Sequence, residues 1–210
     1  EKMRILGEIL GEPGEPGEEG FRSWPYPAFD LYPHPSYACL LTRWGCPFSC
    51  TYCASHRLAR GFESRAAEEV VGELAYWHEK FGVKDFVFYD DALLIHPADH
   101  IIPILRGVID RKIPCRFHVP NALHARFIDQ EVAECFYRAG VKTIRIGFET
   151  ADEALQEETG GKVTNLDFRR AVENLQKAGY AGREIGAYLM AGLPGQRAED
   201  VEDGIAYVRD

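Results

Sequence analysis

The alternation of apolar strand-like segments with amphipathic helix-like segments constrains the fold of this chain more than any other feature. Five short apolar segments recur from Tyr37 onward, at 37–43, 84–90, 115–119, 142–148 and 185–190. Each is followed by a stretch with helical periodicity, at 64–81, within 97–110, at 129–139, from Thr164 and at 201–208. Successive strand–helix units imply parallel strands joined by right-handed crossovers. The pattern therefore predicts an α/β fold, either a doubly wound sheet or a barrel.

Three of the six cysteines lie close together in one short segment after the first predicted strand. Cys46, Cys50 and Cys53 have the spacing C-x3-C-x2-C, and the other three cysteines are scattered. Iron–sulfur clusters are held by cysteine thiolates, normally four per cluster, so three local ligands would leave one iron open to a substrate or cofactor. Structural zinc needs four ligands, usually as two separated pairs, and no second pair accompanies this trio. The spacing favours a cluster, with zinc as the alternative.

The segment Arg43-Trp-Gly-Cys-Pro-Phe-Ser-Cys-Thr-Tyr-Cys53 resembles the cluster loop of the radical S-adenosylmethionine (SAM) enzymes. The resemblance implies that the three cysteines bind a 4Fe-4S cluster whose fourth iron is chelated by the methionine part of SAM. It also implies that the reduced cluster cleaves SAM to a 5′-deoxyadenosyl radical, which abstracts hydrogen from a substrate. Cores of that family are partial (βα)6 TIM-type barrels. The resemblance therefore favours a barrel, with about five βα units present in this chain.

Polar residues and glycines follow the predicted strands, where parallel strands would bring them to one edge of the sheet. The candidate cofactor-binding residues are Tyr52, Asp90, Asp91, Asn121, Glu149, Gly192 and Gly195. The resemblance implies that Tyr52 lies near the adenine of SAM, that Asp90 or Asp91 binds its amino group, and that Glu149 lies near its ribose or carboxylate. It also implies that the two glycines form part of the adenine-side wall. The family usually carries Gly-Gly-Glu where this chain has Tyr-Asp-Asp. The alternative roles are helix capping for the aspartates, solvation for Glu149 and a simple turn for the glycines.

Three further stretches, 89–94, 147–156 and 159–164, are most similar to radical SAM proteins with an N-terminal cobalamin-binding domain. That branch includes C-methyltransferases and ring-forming enzymes. The 36 residues before the first predicted strand are too few for such a domain, and no Asp-x-His-x-x-Gly motif occurs. Cobalamin is therefore expected only in a longer parent protein.

Composition and length set the expected domain organisation. We expect residues 1–36 to form an N-terminal extension with an acidic Gly/Pro linker, and residues 37–210 to form the core domain, cut short at its C-terminal end. The hydrophobic content of 46% supports one sizeable core. The formal net charge of −9 speaks against a nucleic-acid or membrane-surface partner.

The expected setting is the cytoplasm. No signal-peptide pattern occurs, and no apolar run approaches the roughly 18 residues of a membrane-spanning helix. Crowded free cysteines suit a reducing compartment. The expected partners are a small-molecule substrate and an electron donor such as flavodoxin or ferredoxin. Two alternatives remain: a methylthiotransferase-type radical SAM enzyme, and a non-catalytic binding module stabilised by zinc or a structural cluster.

Overall fold

The computed structural model describes Phe21, residues 24–59 and residues 61–209. The strands are β1 Tyr37–Leu40, β2 Arg43–Trp44, β3 Glu63–Ser64, β4 Asp85–Phe88, β5 Arg116–His118, β6 Leu123–His124, β7 Val141–Glu149 and β8 Ile185–Leu189. The α-helices are α1 Ser55–Leu58, α2 Ala67–Phe81, α3 Ile101–Asp110, α4 Gln130–Ala139, α5 Glu153–Glu158, α6 Asn165–Ala178 and α7 Ala198–Arg209. The predicted acidic Gly/Pro linker falls at 11–20, outside the described residues.

Five parallel strands lie side by side in the order in which they occur along the chain. β1 pairs with β4, β4 with β5, β5 with β7, and β7 with β8. A doubly wound sheet reverses its strand order at a switch point, whereas a barrel adds each new strand beside the previous one. The strand order therefore makes this fold a partial barrel, which confirms the predicted α/β barrel class.

Three short strands were not predicted. β1 ends at Leu40, and β2 is a separate strand that pairs antiparallel with β3, so the predicted single strand over 37–43 was too long. β6 lies beside the C-terminal half of β7, where Leu123 pairs with Ile146. A strand of two residues shows too little alternation for a sequence pattern to reveal it.

Local sequence signals set the helix boundaries. The Thr164 hydroxyl accepts from the Asp167 N–H at 3.1 Å, and the Asp167 carboxylate accepts from the Thr164 N–H at 3.0 Å, which confirms the predicted capping box of α6. Pro103 is the third residue of α3, within the first turn, where the backbone N–H groups have no partner inside the helix.

The two faces of the sheet differ in character. Side chains alternate along a strand, so one face carries buried aromatic residues such as Phe86, Phe88 and Phe117, which pack beneath the helices. The opposite face is the inner face of the partial barrel and is largely polar. Its charged and hydroxyl side chains include Asp85, Arg116, His118, Thr143 and Arg145.

The aromatic segment that precedes β1 packs outside the barrel. The Tyr26 ring lies 5.6 Å from that of Tyr76, and the Phe29 ring lies 5.4 Å from that of Trp77 in α2. The Trp24 ring lies 5.4 Å from that of Trp44. Within the described part of the chain, no helix combines the length and apolar character needed to cross a bilayer.

Candidate functional site

The three clustered cysteines lie on an irregular loop between β2 and α1. Gly45, at the start of the loop, has φ +84°, and a Cβ there would lie 2.2 Å from the Gly61 carbonyl oxygen, so only glycine fits. The Cys53 N–H donates to the Cys50 carbonyl at 3.0 Å. The Ser55 N–H donates to Cys53 Sγ at 3.4 Å, as it would to a metal-bound thiolate. These contacts hold the loop in a defined shape.

The cysteines share one cavity at the C-terminal end of the sheet. It has a volume of about 430 Å³, within the range of small-molecule sites. Four more of the predicted site residues line it: Tyr52, Asp91, Asn121 and Glu149. The fold therefore brings residues that follow β2, β4 and β5, together with the last residue of β7, to a single space.

The donor set fits a thiolate-bound cluster. Cys46, Cys50 and Cys53 all line the cavity, and cysteine thiolates are the usual ligands of iron–sulfur clusters. A four-iron cluster binds each thiolate through a different iron, so its ligands surround a larger body than a single ion. Burial raises the pKa of the Cys46 thiol. A thiolate at that position would be stabilised by the positive charge of bound iron.

Glu149 forms an ion pair inside the cavity. Lys162 Nζ donates to Glu149 Oε1 at 2.6 Å, and the two side chains are only 12% and 10% exposed. Glu149 has φ +70°, a left-handed conformation that is uncommon outside glycine and costs of the order of 1–3 kcal/mol. Burial and the Glu149 charge raise the pKa of Tyr52, and Lys162 Nζ lies 5.8 Å from the Tyr52 ring centroid. Strained residues of this kind cluster at functional sites.

Lys162 was missed by the sequence analysis. It follows two glycines in a turn that carries no binding motif. The turn packs on the cysteine loop, where the Thr51 N–H donates to the Thr159 carbonyl at 3.2 Å. The lysine itself was visible in the sequence, but only the packing of the two loops reveals that it pairs with Glu149.

His124 was also missed, and it forms part of the cavity wall. Its ring stacks on that of Phe48, with the centroids 4.8 Å apart and the planes 22° from parallel. Burial, together with the charges of Lys162 and Arg126, lowers the pKa of His124 to about 3. The ring is therefore neutral at neutral pH and acts as a flat, largely apolar surface.

The two adjacent carboxylates after β4 have different surroundings. Asp91 lines the cavity. Asp90 is buried elsewhere, accepting from the Thr42 N–H at 2.9 Å, from the Thr42 hydroxyl at 2.7 Å and from the Arg43 N–H. Burial raises the pKa of Asp90 to about 6. Asp90 therefore anchors the chain that leads into the cysteine loop, and binding of a ligand amino group stays a prediction for Asp91 alone.

The two predicted glycines after β8 are not among the residues that line the cavity. The Gln196 side-chain oxygen accepts from the Gly192 N–H at 2.8 Å and from the Leu193 N–H at 3.2 Å, which makes a self-contained turn. Gly195 belongs to the same turn, with φ +81°. Asn121 is at the cavity, and its side-chain amide donates to the Tyr89 carbonyl at 3.0 Å.

Comparison with known families identifies the chain. A family model described as the radical SAM superfamily matches residues 44–208, which is most of the sequence and includes the cysteine loop. The chain belongs to the radical SAM superfamily. A 4Fe-4S cluster and SAM are the cofactors of this superfamily, and the three cysteines and the cavity above fit both.

Curated relatives of this radical SAM chain include methyltransferases and a cyclase. An uncharacterized methyltransferase of Pyrococcus horikoshii is 25% identical over 211 residues, covering 97% of this chain and 45% of the relative. The anaerobic magnesium-protoporphyrin IX monomethyl ester cyclase of Rubrivivax gelatinosus is 24% identical, covering 79% of this chain and 29% of the relative. Cytidylyl-2-hydroxyethylphosphonate methyltransferase of Streptomyces wedmorensis is 22% identical, covering 78% of this chain and 30% of the relative. The chain thus spans less than half the length of these relatives.

Solved radical SAM structures share the fold. The methyltransferase TsrM of Kitasatospora setae, solved with cobalamin and a 4Fe-4S cluster bound, superimposes with a TM-score of 0.71 at 20% identity, covering 82% of this chain and 35% of that one. The cobalamin-dependent enzyme OxsB, solved with aqua-cobalamin, gives a TM-score of 0.62 at 19% identity, covering 80% of this chain and 26% of that one. At these identities the likeness establishes the partial barrel.

Proposed function

We propose that this radical SAM enzyme abstracts hydrogen from a small-molecule substrate in a reaction that leads to C-methylation or ring formation. The observation that carries the proposal is the shared cavity. Three thiols, the carboxylate of Asp91 and the Glu149–Lys162 pair all face one space of about 430 Å³ at the C-terminal edge of the sheet. In barrels of this type, catalytic groups gather at that edge.

The side chains around the cavity suit the two charged ends of the methionine part of SAM. When bound, the cluster and SAM supply a 5′-deoxyadenosyl radical. Lys162 has three N–H donors and uses one on Glu149, so two remain for the carboxylate of SAM. Asp91 supplies an acceptor for the ammonium group, and the second oxygen of Glu149 supplies one for a ribose hydroxyl. The three cysteines would hold the cluster.

Ring side chains form two walls of the cavity. The stacked rings of Phe48 and His124 form one side. On another side, the Tyr188 hydroxyl donates to the Pro120 carbonyl at 2.6 Å and ties β8 to the loop after β5. Excluding water protects a reactive intermediate from side reactions. The walls would therefore direct the radical toward the substrate.

The relatives support the reaction class. They include proteins named as methyltransferases and as a cyclase, and the structural neighbours include cobalamin-dependent enzymes. We assign cobalamin to no residue of this chain and propose its use only for a longer parent protein. Radical generation also needs a one-electron donor, such as flavodoxin or ferredoxin. A thiolate-bound cluster favours a reducing, cytoplasmic setting.

Anaerobic reconstitution tests this proposal. The protein is supplied with iron and sulfide, then with dithionite and SAM, and 5′-deoxyadenosine is measured by chromatography. We expect nucleoside from the wild type and from Cys135→Ala, whose cysteine is buried in α4 away from the cavity, but none from Cys50→Ala. Absence of iron uptake in the wild type would contradict the proposal.

A further inference from the structure

Arg145 is a cation on the inner face of the barrel, directly below the cysteine cavity. It lies in β7 between Ile144 and Ile146, which are both fully buried under the helices, so alternation directs its side chain to the inner face. β7 and β8 pair Arg145 with Gly186, and Gly147 with Tyr188. Tyr188 lines the cavity. Arg145 therefore lies two strand residues, about 7 Å, below the cavity wall.

Gly186 gives the Arg145 side chain the space that it occupies. A Cβ at residue 186 would lie 2.8 Å from Arg145 Cδ and 3.0 Å from Nη1. The Gly186 backbone is not left-handed, so its conformation does not require glycine. Nη1 donates to the Ile144 carbonyl at 2.8 Å. That contact fixes one edge of the guanidinium and leaves its Nε and Nη2 donors for another acceptor.

Arg145 differs in its charge partners from Arg116, which lies on the same face. In the described part of the chain, no carboxylate lies within 4.0 Å of the Arg145 guanidinium. Arg116, on the same face, donates to both oxygens of Asp85, at 2.7 and 2.5 Å. A guanidinium favours carboxylate and phosphoryl oxyanions, which it can bind through two parallel hydrogen bonds.

We propose that Arg145 binds an oxyanion of the substrate, a carboxylate or a phosphoryl group, and so places the rest of the substrate beneath the cysteine cavity. This proposal rests on the proposed function, because it assumes that the substrate enters the barrel from which the cavity opens. Nε and Nη2 form the fork that receives the oxyanion. Arg145 is then a determinant of substrate class: it selects an anionic small molecule.

Chemical modification of arginine tests the proposal without knowledge of the substrate. The reconstituted protein, without SAM, is treated with phenylglyoxal in phosphate, acetate or chloride at equal ionic strength, and the modification rate of each arginine is followed by peptide mass spectrometry. We expect phosphate or acetate to slow modification of Arg145 several-fold relative to chloride, and to leave Arg116 unchanged. Stronger protection by phosphate indicates a phosphoryl group, and stronger protection by acetate a carboxylate. Equal Arg145 rates in all three salts would overturn the proposal.

A pair of glycine variants tests the geometry. Gly186→Ala places a Cβ in the space that the Arg145 side chain occupies. Gly182→Ala is the control, because a Cβ at residue 182 meets nothing within 4 Å. We expect Gly186→Ala to lose the anion protection of Arg145 and Gly182→Ala to keep it, with matching circular dichroism spectra. If anions still protect Arg145 from modification in Gly186→Ala, the orientation assigned to the guanidinium is wrong.

The formation of 5′-deoxyadenosine, measured in parallel, separates the two proposals. Anion protection without nucleoside formation in the wild type contradicts the proposed function and supports the anion site. Nucleoside formation without anion protection overturns the anion site alone.

Discussion

The two ends of the inner barrel face carry similar residue types in different arrangements. At the N-terminal end, Asp85 accepts from Arg116 Nε at 2.7 Å and from His118 Nε2 at 3.1 Å, and His118 Nδ1 lies 2.9 Å from the Thr143 hydroxyl. At the C-terminal end, Asp91 and the Glu149–Lys162 pair face a cavity together with three thiols. The first set satisfies its hydrogen bonds within the protein, whereas the second retains donors and acceptors for a ligand.

The difference teaches how to separate stabilising polar groups from binding ones. A carboxylate that already accepts several protein hydrogen bonds, such as Asp85 or Asp90, contributes to the fold. Asp85 also borders a cavity, but its oxygens already accept from Arg116 and His118, whereas Asp91 lines the cysteine cavity and is available to a ligand. This contrast agrees with the general rule for barrels, in which the C-terminal rim serves function and the N-terminal rim serves stability.

The largest expected effect comes from the buried ion pair at the C-terminal rim. Lys162→Met leaves the Glu149 carboxylate buried without its partner, which should lower the free energy of unfolding by about 3 kcal/mol and weaken SAM binding. Adding Glu149→Gln should restore most of the stability and none of the SAM affinity. Chemical denaturation and equilibrium dialysis with SAM measure the two quantities. Full SAM affinity in the double variant would contradict the assigned role, and Lys177→Met in α6 is the control.

The adjacent aspartates provide the next test. Asp90→Ala removes three hydrogen bonds to the chain before the cysteine loop and should destabilise the protein by roughly 2–3 kcal/mol. Asp91→Ala should leave the unfolding free energy nearly unchanged and weaken SAM binding. Thermal unfolding and SAM dialysis of both variants check this. If the two variants behaved alike, the division of roles would be wrong.

A third test uses pH. Because the pKa of Asp90 is raised to about 6 in the folded state, the stability that comes from its protonation is fully present below about pH 4 and is lost as the pH rises through about 6. Asp90→Asn lacks this titration. The free energy of unfolding of the variant relative to the wild type should therefore increase between pH 4 and pH 6. A constant difference over this range would show that Asp90 has an ordinary pKa.

The smallest change in stability is expected at the N-terminal rim. Its pH dependence has the opposite sign to that expected for Asp90. Arg116 and His118 lower the pKa of Asp85 to about 2 through hydrogen bonds, so its contribution is present above about pH 4 and is lost as the pH falls through about 2. Asp85→Asn should show a smaller loss of stability on acidification, measured by denaturant titration. The same variant should cleave SAM at the wild-type rate. A large loss of SAM cleavage would place this rim in the catalytic site.

Local patterns identified the parts of the site that are contiguous in sequence. The cysteine spacing, the five main strands and the Thr164 capping box each depend on residues within a few positions of one another. Residues that act across loops were harder to assign. The sequence placed Asp90 and Asp91 together, yet neighbouring side chains in an irregular segment can point in different directions.

The sequence by itself determined the α/β class, and it predicted the three cysteine ligands and the edge of the sheet where the site would lie, because periodicity and ligand spacing are properties of short segments. The tertiary structure alone decided the strand order that separates a barrel from a doubly wound sheet. It also decided the pairing of Lys162 with Glu149 and the placement of Arg145 across Gly186. These features join residues on different strands and loops, and their distances are set by packing, which no local pattern encodes.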